Sequence, residues 1–329
     1  MRLSQIYAVS SIVVTESEIQ RIAYMEQFHS YSMNKTASTT ASALFRTMRP
    51  KQWSKNLVLF AGLIFAQHLF ELDALSRTCA AFLLFCLLSS TIYIINDIKD
   101  VQQDRAHPLK SKRPIAAGEL SLHTATAAAA IISGVSLLCA FWLDFGFGGI
   151  ALLYFLLLFA YSFILKHIVI LDVLTVAIGF VLRAIAGAVV IHVGFSSWLL
   201  LCTILLALFL GLSKRRHELV LLGNNAQSHR KILEEYSPHL LDQMIGVVTA
   251  STLMAYALYT MAPETRVKFG TSYMIFTIPF VIYGIFRYLY LIHQKELGGD
   301  PTTILVTDMP ILINVVLWVL VSIGLIYVH

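Results

Sequence analysis

The sequence predicts an all-α integral membrane protein of about nine transmembrane helices, packed in a single bundle. Three observations carry this. Of the 329 residues, 57% are hydrophobic and only 13% are charged, where a soluble domain carries about 25% charged residues. The apolar residues fall in runs of roughly 16 to 26, about enough to cross a ~30 Å hydrocarbon layer as helices, and they lack the alternation of a membrane β-barrel. Lysines and arginines gather in every second connection, as the positive-inside rule requires of cytoplasmic loops.

Residues 1–45 are polar, mixed in charge and rich in Ser and Thr. The run Ile6–Val14 is interrupted by serines and followed by acidic residues, unlike a signal peptide. This stretch is expected to be a disordered extension, with Met25 and Met33 as alternative starts, ahead of a nine-helix transmembrane domain over 46–329. Nine apolar segments follow, at 55–70, 74–96, 122–143, 147–165, 169–192, 197–213, 241–261, 272–292 and 303–328. The first and sixth are the shortest. One set of connections holds Arg46, Arg49, Lys99, Arg105, Lys112, Lys166, Arg216, Arg230, Lys231, Lys295 and the site candidates named below. The opposite set holds only Arg77, Arg266 and Lys268. The N-terminus is therefore expected in the cytoplasm and, with nine spans, the C-terminus outside. Cys79, Cys86, Cys139 and Cys202 lie inside apolar runs and read as packing residues.

The second span ends abruptly in Asn96-Asp97-Ile-Lys-Asp100-Val-Gln-Gln-Asp104. On a continuous helix at ~100° per residue, Asn96, Asp97, Asp100 and Asp104 share roughly a quarter of the circumference. Hard oxygen donors so placed suit Mg²⁺, which leaves positions open for substrate phosphates. His107, Lys110, Lys112 and Arg113 follow and suit the phosphates themselves. The plain alternative is an acidic helix end in a solvated loop. The connection after span six begins Lys214-Arg-Arg-His-Glu-Leu219, with Lys214, Arg215 and Glu218 within about one turn; simple anchoring is its alternative. Before span one, Arg49-Pro-Lys-Gln-Trp-Ser-Lys-Asn56 sets Lys51 and Lys55 beside Trp53, either as interface anchors or as phosphate ligands. Asp172 and Arg183 lie eleven residues apart in span five, on one face and ~16 Å apart along the axis. They read as the wall of an intramembrane cavity or as members of structural ion pairs. His192 and Asn314 read as structural.

These stretches, in this order, resemble the UbiA-type intramembrane prenyltransferase superfamily, and within it the decaprenyl-phosphate phosphoribosyltransferases. The Asn-Asp-x-x-Asp-x-x-x-Asp motif is general to the superfamily. His107-Pro-Leu-Lys-Ser-Lys-Arg-Pro-Ile-Ala-Ala-Gly118, Leu171-Asp172 with Arg183-Ala-Ile-Ala-Gly187, and Lys214-Arg-Arg-His-Glu-Leu219 point to the branch. The second aspartate-rich motif of the aromatic prenyltransferases is missing: no aspartate follows Lys214 until Asp242. The resemblance implies transfer of 5-phosphoribosyl from phosphoribosyl pyrophosphate to a polyprenyl phosphate in a bacterial plasma (inner) membrane. It further implies Mg²⁺ on Asp97, Asp100 and Asp104, with Asp97 and Asp100 ranked above Asp104, and phosphates on Lys51, Lys55, Lys110, Arg113, Lys214 and Arg215. Glu218 or an aspartate would face the developing positive charge, with Asn96, Asp172 and Arg183 lining an active-site cavity that faces the cytosol. Prenyl transfer to an aromatic acceptor is the alternative within the superfamily, and a polytopic transporter the alternative outside it. No nucleic-acid partner is expected, and the sequence sets no oligomeric state.

Overall fold

The computed structural model describes residues 39–107, 110–222, 231–295 and 301–328. Residues 1–38, most of the expected extension, lie outside the described residues. The end of that stretch is helical: α1 (Thr40–Thr47) begins at Thr39, whose hydroxyl accepts from the Ser42 amide at 3.3 Å. It buries Ala43 and Thr47.

Eight helices among the described residues are long and apolar enough to cross a membrane. A 3-10 segment (Pro50–Leu59) and the short α2 (Phe60–Phe65) precede the first of them. Next come α3 (Leu72–Lys99), the short α4 (Val101–Ala106), α5 (Leu122–Leu143), α6 (Phe145–Phe163) and α7 (Leu171–Val189). Then follow α8 (Ser197–Leu222), α9 (Pro238–Met261), the short α10 (Pro263–Phe269) and α11 (Ile278–Gln294). The chain closes with α12 (Pro301–Thr307) and α13 (Met309–Tyr327). The centre is held by α3 and α7, with 56% and 61% of their apolar windows buried against 17% for α5 and α13. The peripheral helices turn their apolar sides outward, as lipid-facing helices do.

Three expectations about single spans are corrected. The first span is not one α-helix but the 3-10 segment followed by α2. It runs antiparallel along α3: Arg49 meets Asp97, Trp53 donates to Ser90, Asn56 to Ser89, and Phe60 packs on Phe82. Its far end joins the last helix, where Gln67 donates to the Ile326 carbonyl and the Leu69 amide to the Tyr327 hydroxyl. The cause is close backbone contact with α7. A Cβ on Gly187 would fall 2.0 Å from the Leu59 carbonyl oxygen, so only glycine lets the two backbones approach. The sixth span continues past residue 213 to Leu222, because no breaker intervenes. Lys214, Arg215 and Glu218 are therefore helical rather than in a loop. The ninth is broken at Asp308, whose carboxylate caps α13 by accepting from the Ile311 amide at 3.0 Å.

Candidate active site

The aspartates do not lie along one continuous helix. Helix α3 stops at Lys99, Asp100 leaves helical geometry (φ −92°, ψ 12°), and α4 starts anew at Val101. The expected single face of three carboxylates is thereby split. Asp97 and Asp104 turn inward, each 2% exposed, and meet at Arg113, 3.0 and 2.7 Å away. Arg49 closes on Asp97 at 2.5 Å and stacks on Tyr93, 4.8 Å from its ring centre. Asp100 turns aside to Lys166, 3.2 Å away. Among the described residues no three His, Cys, Asp or Glu side chains gather closely enough to hold a metal ion; Arg49, Arg113 and Lys166 pair with the three aspartates.

The backbone explains the aim of these cations. Pro50 follows Arg49, which adopts a left-handed conformation (φ 55°, ψ 63°) that few non-glycine residues take. Arg113 leads a compact turn in which the Glu119 and Leu120 amides both bond the Pro114 carbonyl. That turn buries Ile115 and Leu120 against Ala43, Ile94 and Ala125. Lys110 lies between the two polar clusters: burial first, then Arg113, lower its pKa, while Asp104, Glu218 and Asp100 act in the opposite sense. Lys51 is exposed, Lys55 and Asn96 are half-buried, and Lys51 and Lys55 follow Arg49 on the 3-10 segment.

Around the end of α8, Arg215 bonds Glu218 and sits 3.4 Å from Asp172. Lys214 is 3.9 Å from Glu218. Asp172 and Arg183 do not face one another. Asp172 is fully buried, and Tyr236 donates to it at 2.8 Å. Arg183 is spent within the bundle. It donates to Asn56 at 2.7 Å, Tyr154 at 2.6 Å and the Gly179 carbonyl at 3.0 Å, between the Tyr154 and Phe180 rings. It anchors the 3-10 segment to α6 and α7 rather than lining an aqueous wall. Sequence reasoning missed the roles of Arg49, Lys166 and Tyr236. Cations are so common in the connections on this side that no single one stands out, and a tyrosine at a helix edge carries no signal of its own.

Below this cluster lies an apolar cavity of about 490 Å³. It runs from Leu210, one turn before Lys214, to Phe195 and Phe269 at the opposite end of the bundle, bordered by Gly62, Tyr256 and Trp318.

The profile of the UbiA prenyltransferase family matches residues 56–307. The decaprenyl-phosphate phosphoribosyltransferase of Mycolicibacterium smegmatis is 33% identical over 289 residues, covering 84% of this chain and 90% of that protein. The Corynebacterium glutamicum protein of the same name is 32% identical over 296 residues, 88% of each. A UbiA homolog from Archaeoglobus fulgidus, solved bound to GPP and Mg²⁺, shares the fold with a TM-score of 0.67 at 20% identity, over 87% of this chain and 99% of that one. Profile, relatives and fold agree across most of the bundle, and the chain belongs to the UbiA prenyltransferase family.

Proposed function

We propose that this protein transfers 5-phosphoribosyl from phosphoribosyl pyrophosphate to a polyprenyl phosphate of the decaprenyl type, releasing pyrophosphate. The observation that carries the reading is the pairing of one aspartate cluster with a cationic second cluster. The end of α8 offers Lys214, Arg215 and Glu218, whereas a two-metal prenyl diphosphate site wants a second set of carboxylates. The relatives named above support the same donor and acceptor.

A phosphate oxygen of the acceptor attacks C1 of the ribose. The C1–O bond to pyrophosphate breaks and its electron pair leaves with the pyrophosphate. The acceptor dianion becomes a phosphodiester, so no proton need be removed. In-line displacement inverts C1. The protein's task is to gather anions and to stabilise charge that develops at the transition state. Lys110, Arg113 and Lys214 bind phosphate oxygens of the donor, and Lys51 and Lys55 hold the lipid phosphate at the membrane surface. Glu218 faces the positive charge that grows at C1. The apolar cavity beneath Lys214 takes the first part of the polyprenyl tail.

Asp97 and Asp104, which converge on Arg113, carry the hard oxygens a divalent cation takes; they would hold Mg²⁺ once Arg49 and Arg113 turn from carboxylate to phosphate, with Asp100 at the edge beside Lys166. Bound there, Mg²⁺ supplies neutralisation of the departing pyrophosphate. The site lies on the cytosolic side, where a soluble phosphosugar reaches it, with the N-terminus in the cytoplasm and the C-terminus outside.

The test is direct. Purified protein with Mg²⁺, labelled phosphoribosyl pyrophosphate and polyprenyl phosphate should yield a labelled lipid, identified by mass spectrometry, and one pyrophosphate per lipid. A prenyl diphosphate with an aromatic acid should give nothing. Turnover of the second pair alone would overturn the reading.

A further inference from the structure

Asp172 lies at the start of α7, outside the group around Asp97, and its surroundings are unusual. The residue two before it, Ile170, has φ 68° and ψ −44°, and the Leu171 amide reaches back to the Val169 carbonyl at 2.8 Å. This is the rare form of γ-turn, strained for any side chain and most of all for a β-branched one. Strain of this kind persists only where surrounding structure enforces it. Here the enforcing group is Tyr236, buried at the end of the 3-10 turn Lys231–Glu235. Its hydroxyl accepts from the Ile170 amide at 2.7 Å and donates to Asp172 Oδ1 at 2.8 Å. Burial pushes the Tyr236 phenol up to about 12, so it remains a donor at every physiological pH.

The other Asp172 oxygen faces Arg215. Arg215 is 6% exposed; its Nη1 donates to Glu218, and its Nε lies 3.4 Å from Asp172 Oδ2, an ion-pair contact rather than a hydrogen bond. A guanidinium so enclosed is poorly placed to meet a soluble phosphate. Glu218 keeps 26% of its side chain exposed, and the neighbouring Lys214 keeps 37%. These two are the accessible groups of the cluster.

We infer that Asp172 and Tyr236 are positioning residues that hold Arg215 against Glu218, and that Arg215 serves to fix Glu218 at the reaction centre rather than to bind donor phosphate. The strained turn and the Lys231–Tyr236 segment thereby act on one carboxylate. The inference rests on the proposed phosphoribosyl transfer for the role of Glu218, but not for the geometry that holds it.

The experiment compares Tyr236→Phe, Asp172→Asn and Glu218→Gln, singly and in pairs, in the full-length protein in detergent. Glu218→Gln should lower kcat about a hundredfold; Tyr236→Phe and Asp172→Asn should each lower kcat about tenfold while KM for phosphoribosyl pyrophosphate stays within about threefold. Added to Glu218→Gln, neither should lower kcat further, because both act through that residue. Effects that multiply in the Glu218→Gln background would overturn the inference, as would a rise in KM with kcat unchanged. If Asp172→Asn does not fold, Tyr236→Phe, which keeps both charges, decides the same comparison. Structures of wild type and Tyr236→Phe provide a readout free of turnover. Arg215 should swing off Glu218 in the variant, and an unmoved pair overturns the inference. A wild-type protein that releases no pyrophosphate would defeat the proposed function and leave this structural comparison to decide the positioning on its own.

Discussion

Asp97 is the residue on which the polar end of the bundle converges, since Arg49 and Arg113 both bond it. Asp97→Asn and Asp104→Asn should each cost several kcal/mol of transition-state stabilisation, about a thousandfold in kcat/KM. The protein should still fold, because the arginines left behind are about 30% exposed and can hydrate. Asp100, which pairs with Lys166 at the edge, should tolerate Asn better, the reverse of the sequence-based ranking of Asp97 and Asp100 above Asp104; equal losses at all three aspartates, measured by pyrophosphate release, would contradict the new order. Lys110 supplies a pH dependence. Burial lowers its pKa, so its ammonium is lost at lower pH than that of an ordinary lysine. If the charged form binds phosphate, kcat/KM should fall on the alkaline side below the usual lysine range, and Lys110→Arg should move that fall upward. At this scale the sequence was informative about which residue types gather, because Asp97, Asp104, Lys110 and Arg113 sit within one short stretch. It was not informative about direction. The helix break at Asp100 and the left-handed backbone at Arg49 depend on packing by α1 and the Pro114–Leu120 turn, and they reassign who faces whom.

Elements are positioned by a few close contacts. The 3-10 segment carries Arg49, Lys51 and Lys55 to the site, and it is seated on α7 through Gly187 and Arg183. Gly187→Ala should unseat it and cost about 1–3 kcal/mol or more, as overpacking does. Melting in detergent should fall sharply, together with activity, whereas Gly134→Ala, which meets nothing within 4 Å, should be silent. At the other end of the chain Asp308 caps α13 and bonds Arg287 at 2.8 Å. Asp308→Asn should weaken the Arg287 contact while keeping the cap; Asp308→Ala should lose both, with about 1 kcal/mol for the cap, read as a lower melting temperature in detergent. Hydropathy located the long helices well because their apolar runs are uninterrupted. It merged α12 with α13 because one aspartate between apolar residues barely shifts a window average.

For the molecule as a whole, the polar cluster lies at one end of the bundle and the Leu69–Tyr327 junction at the other. In a background lacking the native cysteines, a cysteine at Ser111 should be labelled by an impermeant thiol reagent only from the cytosolic side, and one at Gly270 only from outside. Labelling of both from one side would refute the topology. In the proposed reaction the phosphosugar would reach the site through water and the polyprenyl chain through the bilayer and the apolar cavity beside α2 and α8. Charge placement and span number lead the sequence to expect that orientation, which the labelling tests. The lining of the cavity was not legible in the sequence, because its walls come from helices far apart in the chain.

If the 3-10 segment and α2 together form a crossing, the parity of the topology changes. Ten residues at about 2.0 Å and six at 1.5 Å advance ~29 Å, close to a full hydrocarbon thickness in a stretch too brief and too irregular for a length-based helix count. An odd number of crossings separates the two ends of a chain; an even number returns them to one side. Counting only the long helices among the described residues gives eight and would put both ends of the chain on one side of the membrane. A reporter fused after the last residue, active only outside the cytoplasm, distinguishes the two arithmetics in a single measurement, and the geometry along α3 expects it to be active.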